Sequence, residues 1–180
     1  GYPENIRKIL TRLVNAAEIT RVLPGVFVKP KKVAGLGEVL PEPGKVLNVI
    51  AKSTGEQMGI HGAAAARRLK LTTQVPLKRV LYTSGTSRKI KLGETEITLK
   101  HVSPKKLQAE GTKAGLVTSA LWYLGSKNIN ETVIKTIRAQ LTDSEFKSLL
   151  EDTQYMPAWM VKTLRQFGDN KGKKNGNKLF

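Results

Sequence analysis

The apolar positions of this chain change period several times, and each change marks an element. Over residues 5–17, Ile6, Ile9, Leu10, Leu13 and Val14 recur at i, i+3, i+4, i+7 and i+8. One apolar stripe at this spacing predicts an amphipathic helix. Pro3 and Glu4 lie at its start, where a proline is tolerated and a negative charge suits the helix dipole. The opposite face carries Arg7, Lys8, Thr11, Arg12 and Asn15. Two short β-type runs follow, 18–22 and 26–29, joined by Leu23-Pro24-Gly25, whose Pro-Gly pair predicts a hairpin turn. Pro30, Lys31 and Lys32 end that unit.

Residues 35–44 are rich in Gly and Pro and read as a connection, within a linker placed at 33–44. Helices are expected at 45–53 and at 62–69, the latter containing four consecutive alanines. A buried-type strand is expected at 80–83. A second hairpin, 89–92 and 96–102, is expected around Gly93-Glu94-Thr95, with Ile90, Leu92, Ile97 and Leu99 alternating with polar residues. Beyond it the pattern is helical: 114–124, 131–140, a segment from Thr142, and 157–167. Thr142 and Glu145 have the spacing of a capping box. The Lys-, Asn- and Gly-rich stretch 168–180 is expected to be a flexible basic tail.

Composition sharpens this outline. The 180 residues are 39% hydrophobic and 25% charged, enough to bury a core. No run of about 18 apolar residues occurs and no secretion signal is read, so the expected compartment is the cytoplasm, in keeping with the absence of cysteine. Thirty-one Lys and Arg against 14 Asp and Glu give a net charge of +17. That imbalance favours a polyanionic partner, because the summed field concentrates phosphates at the surface. Composition by itself leaves DNA, RNA and an acidic membrane surface open.

The leading segment favours double-stranded DNA, with an ordinary surface helix carrying solvated charge as the alternative. A helix followed at once by a hairpin has the form of a recognition helix and wing, here 1–32. A major groove about 12 Å wide admits one α-helix, so Arg7, Lys8, Thr11, Arg12 and Asn15 are the candidates for groove contacts. Arg21, Lys29, Lys31 and Lys32 are the candidates for backbone phosphates. Residues 1–32 hold seven basic side chains against Glu4 and Glu18, a net of +5. A second basic group, Arg67, Arg68, Lys70, Arg88, Lys89 and Lys91, is a candidate extension of that face, with scattered solvated charge as the alternative. The first two helices of a winged helix-turn-helix are expected upstream of this chain. The fold class expected is α+β, with that winged motif in front of a C-terminal mixed α/β domain, 45–167, ending in helices.

Catalysis has little support. His61 and His101 are far apart and match no zinc-binding pattern. The segment Thr83-Ser84-Gly85-Thr86-Ser87-Arg88 is not a nucleophile elbow, and Gly55, Gly59 and Gly62 fit neither nucleotide-binding spacing. No cofactor, metal site or catalytic residue is expected. Trp122, Tyr123, Tyr155 and Trp159 fall in helical stretches and are expected to pack the core.

The run Glu18-Ile19-Thr20-Arg21-Val22-Leu23-Pro24-Gly25-Val26-Phe27 resembles the wing of antitoxins from type IV abortive-infection systems, the AbiEi-like regulators. The similarity continues through His61-Gly62-Ala63-Ala64-Ala65-Ala66, Leu69 to Pro76, Thr83 to Arg88, the hairpin around Gly93, and Tyr155-Met156-Pro157-Ala158-Trp159, in that order. The resemblance implies an autorepressor that binds inverted repeats in its own promoter. It also implies a C-terminal domain that neutralises a nucleotidyltransferase-type toxin, directly or without a stable complex. The rival expectations are an RNA-binding or ribosome-associated protein, and a module that captures the toxin while its basic face is incidental.

Overall fold

The computed structural model describes residues 2–35, 37–151 and 153–168. The expected basic tail thus lies, but for Gly168, outside the described residues. The fold is mixed α+β, with seven α-helices among the described residues.

Helix α1, Tyr2–Asn15, leads into an antiparallel hairpin of β1, Thr20–Leu23, and β2, Val26–Val28. The helix followed by a ribbon, expected from periodicity and the Pro24-Gly25 turn, is present. The helix ends by a Schellman motif. The Glu18 N–H donates to Leu13 O at 2.9 Å, and the Ala17 N–H donates to Val14 O at 3.0 Å. The residue that must turn left-handed to close this motif is Ala17, at φ 56°. Glycine normally takes that place because a Cβ is strained there.

The stretch expected as a linker is itself structured. Strand β3, Lys31–Val33, pairs antiparallel with β4, Gly37–Val39, and helix α2 already begins at Pro43, running Pro43–Thr54. Gly35 and Gly37, both at positive φ, let the chain reverse within four residues. Gly35 and Gly37 thus serve the turn of a short hairpin, while Pro43 opens α2.

A four-stranded sheet follows, with order β5-β6-β8-β7. Its strands are β5, Met58–Ile60; β6, Arg79–Thr83; β7, Arg88–Leu92; and β8, Thr95–His101. Strand β8 runs parallel to β6 and antiparallel to β7, while β5 is antiparallel to β6. Helix α3, Gly62–Arg68, bridges β5 and β6. The remainder is helical: α4, Lys113–Leu124; α5, Glu131–Ala139; α6, Asp143–Glu151; and α7, Ala158–Gly168. The capping box is formed: the Thr142 N–H donates to Glu145 Oε2 at 2.8 Å, and the Glu145 N–H to Thr142 Oγ1 at 3.2 Å.

Two apolar cores result. One gathers α3 with the C-terminal helices, around Leu69, Leu121, Ile134, Ile137, Leu149, Met160 and Leu164. Gly62 permits the close contact of α3 with α4, because a Cβ there would meet the Ser119 carbonyl oxygen at 2.6 Å and Tyr123 Cβ at 2.4 Å. The other core lies on the apolar face of the sheet. Ile90, Leu92, Ile97 and Leu99 are buried there with Val46 and Ile50 of α2 and with Val28 of the first hairpin. Leu40, from the stretch expected as a linker, packs against the same cluster. The first hairpin and the sheet therefore share one core across the boundary expected at 33–44.

The strained C′ residue gives a direct test. Ala17→Gly relieves a left-handed Cβ strain of about 1–2 kcal/mol and adds some unfolded-state freedom. The expected net effect is a stabilisation of about 0.5–1 kcal/mol, read as a higher midpoint in urea or thermal unfolding. A lower midpoint would show that the Ala17 methyl contributes packing that outweighs its strain.

Candidate nucleic-acid interface

On α1, Arg7, Lys8, Thr11, Arg12 and Asn15 are all exposed. No ion pair engages Arg7, Lys8 or Arg12 among the described residues. Lys8, Arg12 and Asn15 follow at i, i+4 and i+7, so they form one stripe along the helix. Arg7 and Thr11 lie on an adjoining stripe and face the hairpin. They line a cleft of about 600 Å³ together with Leu10, Val14, Arg21 and Phe27. Arg21 and Phe27 are cross-strand partners in β1 and β2. The structure thus brings together Arg7, Thr11 and Arg21 from the two sequence-predicted sets. The Thr11 hydroxyl donates to Arg7 O at 2.9 Å, leaving its oxygen lone pairs for an incoming donor.

The apolar stripe of α1 is only partly covered. Leu10, Leu13 and Val14 are half-buried, whereas Ile6 is 47% and Ile9 55% exposed. The sheltered part is the half of the helix nearest the hairpin.

The other predicted phosphate contacts divide. Lys31 is exposed and stands opposite Val39. Lys32 stands opposite Glu38, and Lys29 and Lys32 line a depression that also contains Glu18 and Glu38. Their charge is locally balanced by carboxylates, which lowers the field they present to an anion.

The second basic group is not one surface. Arg67 and Arg68 are exposed in the last turn of α3, and Lys70 follows in a left-handed conformation at φ 56°. Arg88 is committed elsewhere: its guanidinium Nη2 lies 2.8 Å from Glu56 Oε2, with the two side chains only 19% and 15% exposed. It also donates to Thr86 O at 3.0 Å. The Thr83 hydroxyl donates to the same Glu56 oxygen at 2.8 Å and accepts from the Gly85 N–H at 3.0 Å. Gly85 has no Cβ because one would fall 2.1–2.5 Å from the Glu56 carboxylate. Lys89 pairs with Glu96 at 3.0 Å, and Lys91 is the cross-strand partner of that same Glu96. Arg88 is therefore a tie between the β6–β7 connection and the end of α2, and Lys89 is paired with Glu96. Of the six, Arg67, Arg68, Lys70 and Lys91 are the exposed cations outside any ion pair among the described residues, and Lys91 stands opposite Glu96.

Sequence reasoning missed Lys100 and Lys106. Lys100 is the cross-strand partner of Tyr82, on the sheet face away from the apolar core. Lys106 Nζ lies 4.5 Å from the Tyr82 ring centre and 4.8 Å from that of Trp122, a cation held on two aromatic faces. The strict alternation of β8, with Leu99 inward, already placed Lys100 outward. Lys106 had no such signal, since it sits in a 3-10 turn, Pro104–Leu107. His61 packs 4.9 Å from Tyr82 and caps α3 by accepting the Ala63 N–H at Nδ1, 3.3 Å away. Burial first, then the charges of Lys100 and Lys106, push its imidazole below the usual histidine range. No group of three or more His, Asp or Glu side chains placed to hold a metal is found among the described residues. None of their helices is long and apolar enough to cross a membrane.

The described residues form a mixed α+β fold with a cationic helix and hairpin at its front. The chain belongs to DUF6088, a family of unknown function, which it matches over residues 1–149. No curated protein matches it, and no solved structure does.

The Glu56–Arg88 tie predicts a pH-dependent stability. Burial alone would raise the Glu56 carboxyl; the hydrogen bonds from Arg88 and Thr83, the Arg88 charge and Thr54 outweigh it and hold the group below its ordinary 4.5. A depressed folded-state value contributes stability that is complete above about pH 4.5 and is lost as pH falls through the folded value. Glu56→Gln is expected to cost about 1–3 kcal/mol at pH 7, since Arg88 loses its counter-charge. The variant should also lose less on acidification. Urea unfolding at pH 7 and pH 4 checks both, and equal losses in the two proteins would remove Glu56 as the acid-sensitive group.

Proposed function

We propose that this chain is a DNA-binding transcriptional autorepressor and antitoxin, with α1 entering the major groove as the recognition helix of a winged helix-turn-helix. The β1–β2 hairpin is its wing. The observation that carries the reading is the exposed, uncompensated cationic surface of α1 beside a hairpin that adds Arg21 to the same cleft. A helix of about 10–12 Å diameter fills a major groove about 12 Å wide. Arg7, Lys8, Thr11, Arg12 and Asn15 offer the donors and acceptors that base edges recognise. Arg21 and Lys31 lie on phosphates, with Lys29 and Lys32 contributing less because Glu18 and Glu38 stand beside them. The regulatory setting comes from the resemblance to type IV abortive-infection antitoxins. There the target is an inverted repeat in the chain's own promoter, and the neutralised toxin is a nucleotidyltransferase.

The test is fluorescence anisotropy on a duplex carrying the chain's own promoter, set against unrelated duplex and against single-stranded RNA of equal length. Affinity is expected to fall linearly in log–log form with salt. Arg12→Ala should cost about 1–3 kcal/mol and relax preference at one base pair. Lys31→Ala should weaken every duplex alike and reduce the salt slope by about one. Equal affinity for promoter, unrelated duplex and RNA would overturn the repressor reading and favour a general RNA-binding role. Identical behaviour of the two variants across sequences would remove α1 from the groove.

A further inference from the structure

A second concavity lies away from α1. It is a cleft of about 580 Å³ between the first turn of α2, helix α3 and strand β6. Its floor is aliphatic: Leu47, Ile60, Leu81 and Ile97 contribute. Arg68, Lys78 and Arg79 also line it, all three are exposed, and no carboxylate among the described residues lines it. None of the three belongs to an ion pair among the described residues. Three cations around an apolar hollow repel one another and gain nothing from the floor. An anion with an apolar body removes both costs, since its head neutralises the guanidinium groups while its body displaces water from the floor. The volume falls within the range of small-molecule sites, about 300–1,000 Å³. The segment that closes one side adds a related signal. Val75 and Leu77, on either side of the cleft-lining Pro76, are 58% and 100% exposed.

We propose that this cleft binds a small amphiphilic anion, an aromatic or branched apolar body bearing one carboxylate, sulfonate or phosphate group. The apolar body sits on Leu47, Ile60 and Ile97, and the head group is held by Arg68 and Arg79, with Lys78 beside them. Arg68 stands at the divide with a neighbouring depression containing Glu110. That carboxylate is engaged by the backbone, accepting the Ile60 N–H at 3.0 Å. The site requires nothing of α1 and stands whether or not the chain binds DNA.

The probe is 1-anilinonaphthalene-8-sulfonate, with its uncharged analogue N-phenyl-1-naphthylamine and inorganic phosphate as comparisons, titrated into the full chain by fluorescence and calorimetry. The sulfonate is expected to bind saturably at one site, about tenfold more tightly than the neutral analogue, which corresponds to one charge-assisted contact. Phosphate alone should bind more weakly than either. Arg68→Gln with Arg79→Gln should reduce the sulfonate to the affinity of the neutral analogue. Ala64→Phe, which fills the cleft, should abolish binding of both dyes; Ala63→Leu is the milder filling variant, and unfolding midpoints show that each is folded. Unsaturable binding, equal affinity for charged and neutral dyes, or unchanged binding in a folded filling variant would overturn the proposal. A loss of promoter affinity in Arg12→Ala leaves dye binding untouched, so the two readings fail separately.

Discussion

The burial of Ile90, Leu92, Ile97 and Leu99 on one face of a four-stranded sheet is the constraint on which the rest depends. In β7 and β8 every second residue is apolar, and the antiparallel register places Ile90 directly opposite Ile97. The sheet cannot leave that face in water, at roughly 1.5–3 kcal/mol for each large aliphatic side chain. Helix α2 covers part of it with Val46 and Ile50, and the first hairpin covers another part with Val28, supported by Val22, Leu23 and Val26. The ribbon after α1 is therefore a lid on the sheet's core. Its other face, carrying Arg21 and Phe27, is turned towards α1. One strand pair thus serves two surfaces. The inward side anchors the ribbon, and the outward side sets the cationic helix at a fixed entrance angle through the Schellman closure at Ala17.

Sequence periodicity made the long elements legible because their burial is one-sided. The stripe Ile6 to Val14, the alternation through Ile90 to Leu99, and the capping box at Thr142 each correspond to elements that are present. Their ends moved by up to three residues, as at α1, where the helix begins at Tyr2. What escaped notice has specific physical causes. Strands β3 and β4 are three residues each and exposed throughout, so no apolar period marks them. Strand β5 is Met58-Gly59-Ile60, and its glycine reads as a turn. Gly59 is needed because a Cβ would fall 2.5 Å from Glu110 Oε2, the carboxylate that also accepts the Ile60 N–H. A glycine serving close approach looks the same, in sequence, as one serving a turn.

The candidate site was legible in residue type but not in charge balance. Arg7, Lys8, Arg12 and Arg21 are basic residues expected on a free face, and they are exposed. Arg88 met the same criterion and proved to be an internal tie to Glu56, 32 positions earlier in the chain. A charge partner that distant in sequence leaves no local pattern. Lys32 and Glu38 are likewise brought opposite each other by a hairpin within the stretch expected as a linker. Lys106 shows the converse. Its ammonium rests on Tyr82 and Trp122, residues 24 and 16 positions away, and only the packing of the 3-10 turn against β6 and α4 brings them together.

These pairings also decide where the excess charge acts. The ion pairs among the described residues join Glu56, Glu96, Glu131, Asp143 and Glu151 to nearby cations, and every one of those carboxylates lies after α2. In the sheet and the helical half these pairs give five of the cations a carboxylate partner. Residues 1–32 carry a net +5, and no such pair lies among them. Like charges on one short helix and ribbon repel, and each unpaired cation gains more from a phosphate than from water at low salt. The cations of α1 differ from those of the sheet in lacking such carboxylate partners among the described residues. Arg68, Lys78 and Arg79 repeat the arrangement on a smaller scale, around a floor too apolar for a nucleic-acid backbone. The same imbalance of charge thus separates into two surfaces, distinguished by what lies beneath the cations: polar helix in one case, aliphatic sheet in the other.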